Sequence, residues 1–213
     1  MENAATARIT AQPGDTEWDL RAEPGRTIGL LGTSGGGLTR VGLSMLVEAS
    51  QRAPVAVVDV RGWISPLAAF EVGIRLERLV VVRTPDRQQW SQVVAALLEG
   101  LQAVYAEVPT GISDAHLRRL SALARARRGT LLLRPLDSRL PSGMSHLILQ
   151  SERVVWDGAE SGHGRLGRRN LQIRAWGKAV RGTERVLEVE DDGENAMRVV
   201  AGMVAPSAGR AAG

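Results

Sequence analysis

A glycine-rich octapeptide, GTSGGGLT at residues 32–39, constrains the fold of this chain more than any other feature. The preceding run, TIGLL, is aliphatic and β-branched, which is typical of a buried strand. Small and apolar side chains then recur at helical spacing, at Leu38, Val41, Gly42, Met45, Leu46 and Ala49. The octapeptide therefore lies at a strand-to-helix turn, which is where phosphate-binding loops occur in α/β proteins.

The octapeptide lacks the lysine of such a loop. Measured against GxxxxGK[ST], Gly32 and Gly37 hold the glycine positions and Thr39 holds the hydroxyl position, but Leu38 stands at the lysine position. No other register supplies one, because Lys178 is the only lysine in the chain. Leu38 offers no charge to a transferring phosphoryl group, although backbone N–H groups can still attract an anion weakly. The degenerate nucleotide loop comprises Gly32, Thr33, Ser34, Gly35, Gly36, Gly37, Leu38 and Thr39.

A purely structural interpretation of this loop remains open. Three consecutive glycines can form a tight turn that packs closely against the sheet, without any ligand. We therefore expect no cofactor, and leave weak nucleotide binding as the alternative.

Composition excludes several other kinds of site. The 213 residues include no cysteine, so disulfides, thiolate metal ligands and a cysteine nucleophile are absent. The three histidines are far apart and lack zinc-motif spacing, so we expect no metal site. No apolar run reaches membrane-spanning length, and the first residues lack the apolar core of a signal peptide. We therefore expect a cytoplasmic protein.

Strands alternate with helices in the first part of the chain, which predicts a mostly parallel sheet flanked by helices. Further strands are predicted at residues 55–58, 79–82, 103–108 and 130–133, and helix starts at Ser65, Asp86 and Ser113. Three later strands, at residues 152–156, 171–176 and 185–189, follow without helices and predict antiparallel additions to one sheet edge. We expect a flexible tail at 1–12, one domain at 13–205 and a disordered tail at 206–213.

This order of elements resembles the RecA-like ATPase core, and residues 55–85 resemble its stretch from the second strand to the third. Within that group the chain resembles the ImuA family, the RecA-like accessory proteins of bacterial mutagenesis cassettes. That likeness is carried by DAHLRRLSALARARRGTLLLRP (residues 114–135) and by SERVVW followed by LGRRNLQIRAWGKAVRGTERVLEV.

The resemblance implies that the ATPase site is altered. RecA-type enzymes place a water-activating glutamate two residues beyond the aspartate that ends the second strand, and here Asp59 is followed by Val60 and Arg61. An arginine cannot act as that base. The magnesium-side aspartate corresponds most nearly to Glu107. Lys178 falls near basic residues that in RecA reach a neighbouring subunit's nucleotide.

Arginine-dense segments are candidates for binding DNA or a partner. Three arginines share one sector of the helix after residue 113, and four further cations lie around the late strands. The candidates are Arg118, Arg125 and Arg128 in the helix, and Arg165, Arg168, Arg169 and Lys178 later. Arginine-rich genome coding and an ordinary solvated loop remain open as explanations. With one Tyr and one Phe, we expect too few aromatic residues for a base-stacking platform.

The resemblance implies a non-catalytic scaffold in an error-prone translesion synthesis complex, acting in damage-induced, SOS-type mutagenesis. The implied partners are a Y-family-like polymerase subunit and, through it, an error-prone replicative-type polymerase and the sliding clamp. DNA binding and self-association are further expectations. Two alternatives stay open: a DNA-stimulated ATPase with a variant phosphate loop, and a SulA-like inhibitor of cell division.

Overall fold

A computed structural model of the protein describes residues 10–11, 23–158, 167–180, 183–192 and 197–204. The described strands are β1 (Thr10–Ala11), β2 (Thr27–Leu31), β3 (Val55–Asp59), β4 (Leu79–Arg83), β5 (Ala103–Val108), β6 (Thr130–Pro135), β7 (Leu147–Asp157), β8 (Arg168–Gly177), β9 (Arg185–Asp191) and β10 (Arg198–Val204). The helices are α1 (Leu38–Ser44), α2 (Val47–Arg52), α3 (Pro66–Glu71), α4 (Arg87–Gly100) and α5 (Asp114–Arg127), with short 3-10 helices at Leu76–Arg78 and Lys178–Val180.

These strands form a single sheet in the order β1-β10-β9-β8-β7-β2-β6-β5-β3-β4. From β7 to β4 all neighbouring pairs are parallel, whereas β7 to β10 pair antiparallel. The predicted fold class, α/β with a mostly parallel sheet and antiparallel strands at the C-terminal edge, is confirmed.

Three details of the sheet differ from the sequence prediction. The strand expected at 152–156 begins five residues earlier, since Ile28 to Leu31 of β2 pair with residues 147–150. The apolar segment from residue 197 contributes β10, which is paired with β9. Thr10 and Ala11, placed in a flexible tail, pair with β10. The remainder of both expected tails lies outside the described residues.

Helices cover both faces of the parallel strands, and alternate strand residues divide the core in two. One core contains Val57, Tyr105 and side chains of α1, α2 and α3, whereas the other contains Val58 and side chains of α4 and α5. The predicted helix caps are confirmed. The side chains of Ser65, Asp86 and Ser113 accept hydrogen bonds from backbone N–H groups in the first turns of α3, α4 and α5.

The helix predicted to run from Leu38 to Ala49 is interrupted, so that α1 ends at Ser44 and α2 begins at Val47. The Ser44 hydroxyl donates to the carbonyl of Val41 at 2.8 Å, and the N–H of Leu46 donates to Leu43, three residues back, at 2.9 Å. Local side-chain bonding of this kind competes with the regular ladder. No helix in the described ranges combines the length and apolar character needed to cross a membrane.

Candidate functional site

The glycine loop joins β2 to α1 at the carboxyl edge of the parallel strands, where ligands bind in open α/β sheets. Gly32, Gly35 and Gly37 have φ angles of 144°, 85° and 76°. A Cβ atom on Gly36 would lie 2.9 Å from Ser151 Oγ, and one on Gly37 would lie 2.7 Å from Leu171 Cδ2. Close packing against β7 and β8 therefore favours glycine at positions 36 and 37, independently of any ligand, whereas a Cβ atom on Gly35 would meet open space.

The lysine position of the loop is a core position. Leu38, the first residue of α1, is 1% exposed and packs with the apolar residues below the loop. Thr39 contacts the side chain of Tyr105. Burial raises the pKa of the Tyr105 hydroxyl far above its ordinary value, and the contact with Thr39 opposes that rise in part. The Tyr105 phenol thus lies near the Thr39 hydroxyl, which the phosphate-loop pattern would assign to magnesium.

Glu107, near the end of β5, is fully buried and bound to Arg61. Its Oε2 atom accepts from the N–H groups of Val60 and Arg61 at 3.0 and 3.1 Å. Its Oε1 atom accepts from Arg61 Nε at 2.9 Å and also from Arg61 Nη2. Four donors occupy the roughly four lone-pair sites of a carboxylate. A metal ion or water could bind Glu107 only by displacing Arg61.

Asp59, the last residue of β3, is likewise fully buried and bonded. Its carboxylate accepts from the N–H groups of Gly62, Trp63 and Ile64 at 2.8, 3.2 and 3.1 Å. The side chain thus shapes the turn between β3 and α3. Within the ranges that the structure describes, no three His, Asp or Glu residues form a group that could hold a metal ion. Leu38, Asp59 and Glu107 therefore do not fit a magnesium nucleotide of the RecA type.

Arg134, in β6, holds the glycine loop from its carbonyl side. It is 4% exposed, and its Nη1 and Nη2 atoms donate to the carbonyl oxygens of Gly32 and Thr33 at 2.7 and 3.0 Å. Burial lowers the pKa of Arg134, and the positive charge of Arg61 lowers it further, while Tyr105 and Glu107 oppose the shift. The loop conformation is therefore fixed by a buried cation in the wall of the site.

A second ion-pair group joins α1 to the antiparallel strands. Asp191 of β9 is 3% exposed, and it accepts from Arg169 Nε of β8 at 2.7 Å. Arg40 of α1 approaches the same carboxylate at 2.9 Å through Nε and approaches Glu71 at 3.6 Å. The Trp156 ring lies 5.4 Å from the Arg169 guanidinium. Arg169 is therefore the late-strand arginine that the structure brings to the glycine loop.

These groups enclose a cavity of about 330 Å³ beside the loop. Its lining consists of the loop residues 34–39 and the side chains of Arg40, Leu43, Arg61, Trp63, Ile64, Ala68, Arg134 and Arg169. Trp63 lies at the cavity with its ring 4.5 Å from the Arg61 guanidinium and is 69% exposed. Chemically, this arrangement offers guanidinium groups and an aromatic surface to a ligand, rather than a metal site or a general base.

The other candidate cations do not join this cavity. Arg118, Arg125 and Arg128 are exposed along α5 and its C-terminal cap, and α5 covers the sheet face opposite α1. Arg168 and Lys178 stand at the two ends of β8, roughly 30 Å apart at 3.3 Å per residue. Arg165 lies outside the described residues. The structure therefore distributes these cations instead of forming one basic site from them.

Sequence reasoning missed Arg40, Trp63 and Arg134 as site residues. A signal for Arg134 was present, because the carboxyl ends of parallel strands meet at one edge. Arg134 and Asp59 each follow a predicted strand, and Glu107 is near the end of another. The count of aromatic residues also misled, since it considered Tyr and Phe and left out the exposed Trp63 and Trp156, each stacked on an arginine.

Comparison with known proteins supports the fold and gives a family. A crystal structure of the RadB recombinase superposes with a TM-score of 0.58 at 16% identity, covering 84% of this chain and 92% of that chain. Such a likeness establishes a RecA-like fold. No curated protein matches the sequence. Residues 24–141, more than half of the chain, match the family described as the MT3502 N-terminal domain. The chain therefore belongs to the MT3502 N-terminal domain family.

Proposed function

We propose that this protein is a non-catalytic RecA-fold scaffold that works through protein–protein contacts and needs no cofactor. The observation that carries the proposal is the ion pair between Arg61 and Glu107. Arg61 stands where the resemblance to RecA-type enzymes places the water-activating glutamate, and a guanidinium cannot accept a proton from water. The same guanidinium is bonded to Glu107, the residue that corresponds most nearly to the magnesium-side aspartate.

The energetic cost of reactivating such a site supports this proposal. Separating a buried ion pair by removing one partner costs about 3–5 kcal/mol in general. A magnesium ion could bind Glu107 only by breaking this ion pair, at a cost of this kind. Arg61 would still stand at the position of the water-activating glutamate. Leu38, packed in the core, cannot supply the missing charge at the phosphate side.

A scaffold needs accessible apolar surface, and this protein exposes such surface in one stretch. The structure describes seven exposed large hydrophobic side chains, and five of them lie between residues 63 and 80: Trp63, Leu67, Phe70, Leu76 and Val80. Contiguous exposed apolar groups commonly mark interaction sites. Together with the resemblance of residues 114–135 and of the late strands to the ImuA family, this favours a docking role in a mutagenesis complex.

The specific role that we propose is in error-prone translesion DNA synthesis after DNA damage. The direct partner would be a Y-family-like polymerase subunit, with an error-prone replicative-type polymerase and the sliding clamp bound through it. The site would have lost its enzymatic function while the fold was kept as a platform. Cytoplasmic location belongs to the same proposal, because these partners act on chromosomal DNA.

Affinity capture tests this role. The tagged protein is recovered from its native cells before and after DNA damage, with the tag alone as control, and bound proteins are identified by mass spectrometry. We expect a Y-family-like polymerase subunit to be enriched after damage. Recovery of the cell-division GTPase in its place would instead support the inhibitor alternative. Recovery of nucleic acid alone, lost after nuclease treatment, would reduce the protein to a DNA-binding module.

A further inference from the structure

The cavity beside the glycine loop and the exposed helix α3 are adjacent, and the function proposed above assigns neither a ligand. The name arginine cavity is used here for the space lined by Ser34, Arg40, Arg61, Trp63, Arg134 and Arg169. The name apolar rim is used for Trp63, Leu67 and Phe70, which are 69%, 62% and 59% exposed. Trp63 and the α3 residue Ala68 both line the cavity, so a ligand in the cavity also meets the start of α3.

The charge in the wall of the arginine cavity favours an anionic ligand. The hydrogen bonds of Arg134 in the described part run to the carbonyl oxygens of Leu30, Gly32 and Thr33. Carbonyl dipoles satisfy its Nη1 and Nη2 donors but leave its formal charge in place. Arg61 adds a donor at the mouth, since its Nη1 atom lies 3.1 Å from the exposed Ser34 Oγ. Cations in a concave wall of low dielectric attract a counter-charge.

The same wall disfavours a polyanion. Glu107 is bonded to Arg61, Asp191 is bonded to Arg169, and Glu71 lies 3.6 Å from Arg40. These carboxylates offset part of the arginine charge and would repel a triphosphate or a nucleic acid backbone, whereas a single added carboxylate can be accommodated. The Nε and Nη2 atoms of Arg61 are bonded to Glu107, so an incoming carboxylate would meet its Nη1 atom beside Ser34.

The apolar rim indicates what flanks that carboxylate. Leu67 and Phe70 are three residues apart on α3 and therefore share a helix face. The Trp63 ring is held against Arg61, so that little conformational freedom is lost when a partner covers it. Tryptophan and arginine are the residues most enriched among interface hot spots. Aliphatic or aromatic side chains of a partner fit this surface of two exposed rings and a leucine.

We propose that the arginine cavity and the apolar rim form the docking site for a segment of a partner protein. The segment inserts one aspartate or glutamate side chain at Ser34 and Arg61, and its neighbouring apolar side chains pack on Trp63, Leu67 and Phe70. This inference deepens the scaffold function, on which it rests for the existence of a protein partner. It assigns to the altered nucleotide site a peptide carboxylate in place of a phosphate.

Substitutions at Ser34 test the cavity without removing any ion pair. Ser34 is exposed in the loop, so Ser34→Asp places a carboxylate beside Arg61 and fills the acceptor position in cis. Ser34→Asn introduces a side chain of nearly the same size as aspartate but without its charge, and it is the matched control for Ser34→Asp. For the rim, Leu67→Ser with Phe70→Ser removes the apolar face. Val155→Ser changes a residue that is 39% exposed on β7 and serves as control.

The probes are peptides selected on the full-length protein from a displayed library of random twelve-residue sequences, labelled with fluorescein and measured by anisotropy. We expect the enriched peptides to carry Asp or Glu beside apolar residues. Their affinity should fall at least tenfold with Ser34→Asp and with the rim variant, clearly less with Ser34→Asn than with Ser34→Asp, and less than twofold with Val155→Ser. Circular dichroism melts establish that each variant is folded.

Several results would overturn the docking site. These are the absence of any enriched peptide, enriched peptides without an acidic residue, equal binding to Ser34→Asp and wild type, or displacement of the labelled peptides by unlabelled dT12. The result is separable from the mutagenesis role. If wild type and Ser34→Asp capture the polymerase subunit equally, the docking site is wrong and the scaffold function stands. If peptides behave as expected but no polymerase is captured, the docking site stands and the mutagenesis role is wrong.

Discussion

Replacement of Arg61 by alanine measures how firmly the altered site is fixed. Glu107 is fully buried, and the substitution removes the Nε and Nη2 donors while the two backbone N–H groups remain. Breaking a buried ion pair costs about 3–5 kcal/mol. Because two donors persist and the Arg61 side chain is 19% exposed, we expect a cost somewhat below that range, roughly 2–3 kcal/mol, which includes the lost stacking on Trp63.

Urea unfolding followed by circular dichroism gives this free energy, and a second variant isolates its cause. In Arg61→Ala with Glu107→Gln, the neutral amide still accepts from the N–H groups of Val60 and residue 61 but leaves no buried charge. We expect the double variant to be more stable than Arg61→Ala by at least about 1 kcal/mol. In a thermal melt, each kcal/mol should correspond to roughly 2–4 °C for a domain of this size.

One pattern of results would refute the reasoning about Arg61. If Arg61→Ala unfolds within about 0.5 kcal/mol of wild type, the substitution behaves like one at an ordinary surface residue. The ion pair would then contribute nothing measurable, and Glu107 would be free to bind a metal ion. A double variant less stable than Arg61→Ala would equally contradict the claim that a buried unpaired carboxylate is the source of the loss.

Three further outcomes follow from the same contacts. Gly37→Ala should destabilise by about 1–2 kcal/mol more than Gly35→Ala in urea, since both have positive φ but only at position 37 would the added Cβ atom lie within 3 Å of Leu171; equal losses would mean that loop packing is unimportant. Leu38→Lys should cost about 2–4 kcal/mol and yield no ATP turnover in a coupled assay, because the position is buried; rescue of turnover would contradict this. Burial, with Arg26, lowers the pKa of His146, while Glu23 opposes the shift. The unfolded chain therefore binds the proton more readily, and stability should fall as pH decreases below about 6.5, with a weaker fall in His146→Asn.

Local signals in the sequence were sufficient to predict much of the parallel half of the fold. Strand–helix alternation and the caps at Ser65, Asp86 and Ser113 are determined within a few residues, and the structure confirms them. Where strand formation depends on a pairing partner distant in sequence, the sequence alone was insufficient. Residues 147–150 become strand because β2 offers them an edge, and residues 10–11 pair with a strand almost two hundred positions away.

The site was predicted in part for the same reason. The glycine loop, Arg61 and Glu107 were recognisable as departures from a known pattern at fixed positions. The direct bond between Arg61 and Glu107 was not, because it joins residues 46 positions apart through side-chain conformations that spacing does not determine. The hydrogen bonds from Arg134 to the loop carbonyls join residues more than 100 positions apart and depend equally on tertiary packing.

The central claim is that the former nucleotide site no longer performs catalysis. ATP turnover by the purified protein, measured with magnesium and with or without single-stranded DNA, tests it most directly. The account predicts a rate indistinguishable from that of Glu107→Gln and from buffer alone, unaffected by DNA. A turnover well above that background, stimulated by DNA and abolished by Thr39→Ala or Glu107→Gln, would contradict it.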